Sequence, residues 1–139
     1  MESSWRDYKR DMADSVLQDI LPRLLESRIE TCRVNYKADK NKFPNAVILS
    51  KEARAVLFNA GLINTQSVKG RDTLNGGDLQ LNIYNLYELP EGKNLEVKEK
   101  LSSSPGTFYM GRTNWLGKIK KRSLKGYEFK YSLGDLAQT

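Results

Sequence analysis

The chain has 139 residues, 39% of them hydrophobic and 29% charged, with a formal charge of +6; these totals fit one globular domain with enough apolar mass for its own core. Histidine is absent and Cys32 is the single cysteine, which excludes histidine-based acid–base and nucleophilic chemistry, an intrachain disulfide and an ordinary zinc site. No apolar run approaches the roughly 20 residues that cross a bilayer, and the mixed-charge start MESSWRDYKRDMADS has no signal-peptide core, so the expected partners exclude membrane and the expected location is the cytoplasm.

In chain order, Ser4 to about Glu30 reads as an amphipathic helix. Ser4 and Asp7 have capping-box spacing, and Trp5, Tyr8, Met12, Val16, Ile20 and Leu24 recur every three or four residues as one stripe. Pro22 removes a backbone hydrogen bond inside it, which predicts a kink or a second helix starting near Leu21. Thr31–Tyr36 fits either a strand or a continued helix, and KADKNK reads as a charged loop. Ala46–Leu49 is a short, wholly apolar strand. Ser50 is a good N-cap for a helix over Lys51–Ala60, with Gly61 as its stop.

Thr65–Asp78 reads as a polar loop in which Gly76-Gly77 allows close approach of an anion, without the spacing of a phosphate-binding loop. Strands are expected at Leu79–Ile83, over NLEVKEK around Leu95 and Val97, and at Thr107–Met110. Lys118–Leu124 and Tyr127–Leu133 are expected to pair as a hairpin across Lys125-Gly126. The fold class that follows is α+β: an N-terminal helical segment packed on a mostly antiparallel sheet, with a basic C-terminal β-hairpin, all in a single domain over residues 1–139.

The charge is uneven. Residues 112–139 hold 7 basic and 2 acidic side chains, which points to a local basic surface. Its candidate nucleic-acid-binding residues are Arg112, Trp115, Lys118, Lys120, Lys121, Arg122, Lys125 and Lys130. In a strand, Lys118, Lys120 and Arg122 share one face and line up along a phosphate backbone. Trp115, Tyr127, Phe129 and Tyr131 supply rings on which bases stack where they are exposed. The competing reading is structural: lysines guard an edge strand, and an alternating aromatic face packs into a core.

Asp78 lies upstream of the strand-like Leu95-Glu96-Val97-Lys98. This arrangement resembles the Asp…Glu-x-Lys signature of PD-(D/E)xK nucleases. The resemblance implies Mg²⁺ held by Asp78 and Glu96, with Lys98 steadying water or phosphate. Asn82-Ile83-Tyr84 with Tyr109-Met110-Gly111-Arg112-Thr113 is similar to the two strands of GIY-YIG nucleases, with Asn82 where that family has glycine.

The order PNAVILSKEARAVL, a Gly-rich loop, GGDLQLNIYNLYELPEGK and GTFYMGR, over Phe43–Arg112, resembles a passage of phage major capsid proteins of the HK97 type and of short phage proteins built around it. The resemblance implies a phage-encoded or virion-associated binding protein, located in host cytoplasm or virion, and carries no catalytic residue. The expectation ranked first is therefore a non-enzymatic interaction protein without cofactor, whose partner is another protein or a second copy. A nucleic-acid-binding protein using the basic aromatic segment comes next, and a Mg²⁺-dependent nuclease third.

Overall fold

The computed structural model describes residues 2–63, 72–74 and 81–129, with side chains of the first helix described from residue 19 onward. Helix α1 spans Glu2–Lys40 and passes through Pro22 as one element, so no second helix starts near Leu21, and the ambiguous Thr31–Tyr36 is helical. From residue 19 onward the buried stripe of α1 is Leu21, Leu25, Ile29, Cys32 and Tyr36; Trp5, Tyr8, Met12 and Val16 lie outside the described side chains. This stripe sits one residue beyond the expected one: Ile20 is 44% exposed and Leu24 is half-buried. Both series have helical spacing, and packing against the sheet selects the one that continues through Cys32 and Tyr36. That tertiary contact also keeps the helix whole past the proline, because packing contributes more to helix stability than propensity does. Asn41, at φ 65°, ends α1 in the left-handed conformation, its N–H donating to the Lys37 carbonyl at 2.8 Å.

Strand β1 (Ala46–Leu49) leads directly into α2 (Lys51–Asn59). The Ser50 hydroxyl accepts from the Ala53 N–H at 3.0 Å and donates to the Pro105 carbonyl at 2.7 Å. Gly61, at φ 73°, ends the turn after α2 as the sequence predicts. Two short strands follow, β2 (Asp72–Thr73) and β3 (Asn82–Ile83). β2 lies inside the segment expected to be loop, while Gly76, Gly77 and Leu79 fall outside the described residues. A 3-10 turn over Leu86–Glu88 then leads to α3 (Lys93–Ser103), β4 (Thr107–Gly111), a second 3-10 turn at Lys121–Ser123 and β5 (Lys125–Glu128).

The sheet order is β2-β3-β1-β4-β5. β1 pairs parallel with β3, and every other pairing is antiparallel. The architecture is α+β, as expected, with two details corrected. NLEVKEK is helix α3, not a strand. Val97 and Leu101, one helical turn apart, are buried at 1% and 4%, while Leu95 is 62% exposed; a strand would have put Leu95 and Val97 on the same face. The C-terminal antiparallel pair is β4 with β5, in the register Phe108–Tyr127. Lys118–Leu124 is therefore not the hairpin partner of Tyr127; it belongs to the connection between β4 and β5.

All four residues of β1 are buried, as a central strand covered on both faces requires. Val47 and Leu49 face α1 and α2 in one cluster with Leu57, Ile83, Phe108 and Met110. Ala46 and Ile48 face the other way, into a cluster with Tyr84, Leu89, Val97, Leu101 and Ile119. The result is a three-layer stack: α1 and α2, the sheet, then the first 3-10 turn and α3.

Candidate nucleic-acid interface

The β4–β5 connection, residues 112–124, starts beside the N-terminal end of β1, because Gly111 lies opposite Ala46. Side-chain and backbone bonds pin it there. Asn45 and Thr113 exchange two hydrogen bonds of 3.0 Å. The Ser123 hydroxyl, 2.9 Å from the Arg112 N–H, accepts from it. The Lys120 N–H donates to the Arg112 carbonyl at 2.9 Å, and Thr113 and Ile119 form an isolated antiparallel bridge. Ile119 is 4% exposed, whereas its neighbours Lys118 and Lys120 face solvent. The alternation expected of a strand therefore holds locally, although the strand does not extend beyond a single bridge.

The connection also docks on the C-terminal end of α1. The Tyr36 hydroxyl donates to the Ser123 carbonyl at 2.7 Å, Lys125 pairs with Asp39 at 2.7 Å, and Arg112 donates to the Phe43 carbonyl. Arg33 and Lys37 each stand 4.3 Å from the centre of the Phe43 ring. This contact brings Arg33, Lys37, Lys40 and Lys42 to the same end of the molecule as Arg112, Lys118, Lys120, Lys121, Arg122 and Lys125. The sequence reading missed the first four because they lie about 80 residues upstream in a stretch of nearly balanced charge; only basic residues in a helix's last turn, which favour its C-terminal dipole, hinted at them.

Nearby acids are engaged. Asp39 is held below the usual carboxylate range by its hydrogen bond to Lys125 and by that lysine's charge, and Glu30 pairs with Arg33 at 3.3 Å. Lys40, Lys42, Lys118, Lys120, Lys121 and Arg122 are exposed, so cations predominate on this surface.

The aromatic residues divide. Tyr127 and Phe129 pack against the first core cluster, and Tyr127 stacks on Phe108 with ring centres 5.9 Å apart. They are core rather than a base-stacking platform. Burial pushes the Tyr127 hydroxyl up to about 12, with smaller contributions from Cys32, Asp39 and Tyr36. Trp115 is 91% exposed and Leu116 59%, at a tight turn closed by the Asn114 carboxamide, which accepts from the Leu116 and Lys118 N–H groups. Lys130 and Tyr131 lie outside the described residues.

The nuclease arrangements do not assemble. Glu96 and Lys98 are on helix α3, where residues two apart diverge by about 200°, and Glu96 pairs with Lys93 at 3.3 Å. Asp78 lies outside the described residues. Among the described residues no cluster of three or more His, Cys, Asp or Glu side chains is placed to hold a metal ion. The GIY-YIG-like segments are β3 and β4, which β1 separates in the sheet. Among the described residues, no helix is long and apolar enough to cross a membrane. No family model matches the chain, and neither the curated proteins nor the solved structures contain a significant match.

Proposed function

We propose that this chain is a non-enzymatic binding protein that takes nucleic acid at the basic end of its sheet, chiefly through phosphate contacts. The observation that carries this reading is the convergence of exposed cations from two distant segments, Lys40 and Lys42 with Lys118, Lys120, Lys121 and Arg122, where nearby Asp39 and Glu30 are already paired. Clustered cations without competing carboxylates attract a polyanion by releasing its counterions. Trp115 adds one ring able to stack on an unpaired base. With Tyr127 and Phe129 in the core, base stacking is limited and sequence preference is correspondingly weak.

Fluorescence anisotropy of labelled single- and double-stranded DNA and RNA between about 50 and 200 mM salt tests the proposal, because multi-phosphate contact loses orders of magnitude in affinity over that range. Lys118→Ala, Lys120→Ala and Arg122→Ala together should weaken binding and flatten the salt dependence by about one unit per lost contact. Lys40→Ala with Lys42→Ala should do the same from the other segment. Binding unchanged in both variants, or no binding at low salt, would remove this surface from consideration.

A second reading rests on Trp115 and Leu116, adjacent exposed apolar side chains rimmed by cations, a composition common at the centre of protein contacts. It gives this surface a protein partner or a second copy. The likeness of residues 43–112 to phage capsid-related proteins would set that partner in a phage or virion. Light scattering of wild type and Trp115→Ala separates the self-association arm: a Trp115-dependent oligomer supports it, and a monomer at all concentrations ends it.

A further inference from the structure

At the other end of β1 the chain builds a second site. β1 and β3 are the parallel pair, and they leave the sheet in opposite directions. β1 continues through Ser50 into α2 on the first face, and β3 continues through Tyr84 and Asn85 into the 3-10 turn and α3 on the second. Adjacent parallel strands whose following helices diverge leave a crevice outside their carboxyl ends, which is where open sheets with parallel strands bind ligands. A cleft of about 530 Å³ lies there, between Leu49 and the start of α2 on one side and Tyr84–Tyr87 and α3 on the other. Its size is within the range of small-molecule sites.

The walls have a definite chemistry. Lys51, Arg54 and Lys98 line the cleft, and no carboxylate does so among the described residues. Neither Lys51 nor Lys98 has an ion-pair partner among the described residues. Glu88, next to Tyr87 in sequence, accepts from the Asn85 N–H at 2.8 Å, while Glu52 and Glu99, next to Lys51 and Lys98, are exposed and are not among the cleft's lining side chains. Tyr87 also lines the cleft and is 60% exposed, while the Tyr84 ring is a fixed wall whose hydroxyl donates to the Gly117 carbonyl at 3.2 Å. Asn94 adds an amide that both donates and accepts.

The geometry points to a nucleoside phosphate as the ligand of this cleft. Its phosphates would lie among Lys51, Arg54 and Lys98, and its base against Tyr87. Lys51 and Lys98, without an ion-pair partner among the described residues and on a wall where no described carboxylate lines the cleft, suit a polyanion with many acceptor oxygens. The exposed ring beside them suits a planar apolar body better than it suits bare phosphate. The site goes beyond the proposed nucleic-acid contact and uses different residues, so either can fail without the other.

Calorimetry with ATP, adenosine and tripolyphosphate, paired with amide chemical-shift mapping, tests it. ATP should bind saturably at one site per chain, with shifts centred on residues 50–54 and 84–98. Lys51→Ala with Lys98→Ala should weaken ATP at least tenfold, and Tyr87→Ala should narrow the preference for ATP over tripolyphosphate. These side chains face solvent, so the variants should fold, which their amide spectra check directly. The variant lacking Lys118, Lys120 and Arg122 should bind ATP as the wild type does. No ATP binding, shifts confined to residues 112–125, or losses only in that last variant would overturn the site. Equal affinity for ATP and tripolyphosphate would overturn the nucleoside assignment.

Discussion

Tyr36 and Tyr127 both carry a phenol into the first core cluster, and they differ in what their hydroxyls meet. Tyr36 is 1% exposed and donates to the Ser123 carbonyl. The Tyr127 hydroxyl is buried with no hydrogen-bond partner among the described residues. Removing the first should cost about 1 kcal/mol, because a carbonyl loses its donor and the bond that docks the basic connection on α1 is gone. Removing the second should cost nothing or stabilise slightly, since a buried hydroxyl without a partner is itself unfavourable. Denaturant unfolding of Tyr36→Phe and Tyr127→Phe compares them; an equal loss in both would contradict this assignment. The exposure of Trp115 was open in the sequence, because a tryptophan in a Gly- and Asn-containing turn has no periodic partners that declare a face.

At the scale of the element, Ser50 does two jobs. It caps α2 and ties the α2 start to the segment preceding β4 through the Pro105 carbonyl. Ser50→Ala should cost about 1–2 kcal/mol, at the upper end for an N-cap, because a second bond is lost with the first. Thermal or denaturant unfolding reads this directly, and a loss within error of zero would show that solvent replaces both bonds. The α2 cap, its glycine stop and the apolar β1 were all legible, because each depends on residues within a few positions of one another. Helix α3 was not. Leu95 and Val97 alternate by chance, and the local pattern over so short a segment fits a strand as readily as one buried turn of helix. Only the far side of the sheet, which buries Val97 and Leu101 and leaves Leu95 in water, separates the two.

For the whole molecule, the buried phenols set an alkaline limit. Burial raises the hydroxyls of Tyr36 and Tyr109 above the ordinary value of about 10, and that of Tyr127 to about 12. The folded state then holds protons that the unfolded chain has released, so this contribution to stability is complete below about pH 10 and is lost as pH rises toward about 12. Denaturation midpoints measured across this window should fall with pH, and Tyr127→Phe should fall less steeply than wild type. A flat profile through pH 12 would mean that these phenols reach solvent in the folded state. At the same scale the two proposed sites occupy opposite ends of β1, the basic connection beside Ala46 and the cleft beyond Leu49.

The sequence alone determined the α+β class, the strand–cap–helix unit from Ala46 to Gly61, the strand at Thr107–Met110 and the basic bias of the last fifth of the chain. These follow from composition and from patterns within about a dozen residues. Tertiary structure decided which stripe of α1 is buried, that NLEVKEK is a helix, that Tyr127 and Phe129 are core, and that β5 pairs with β4. It also decided both sites. The segment carrying Lys40 and Lys42 docks beside the connection that carries Lys118, Lys120, Lys121 and Arg122 only through the Tyr36–Ser123 and Asp39–Lys125 contacts, which bridge distant parts of the chain. Lys51, Arg54 and Lys98 face one cleft only because two parallel strands send their helices to opposite faces. Long-range contacts of this kind leave no periodic trace in a single sequence, because the residues that meet are each locally ordinary.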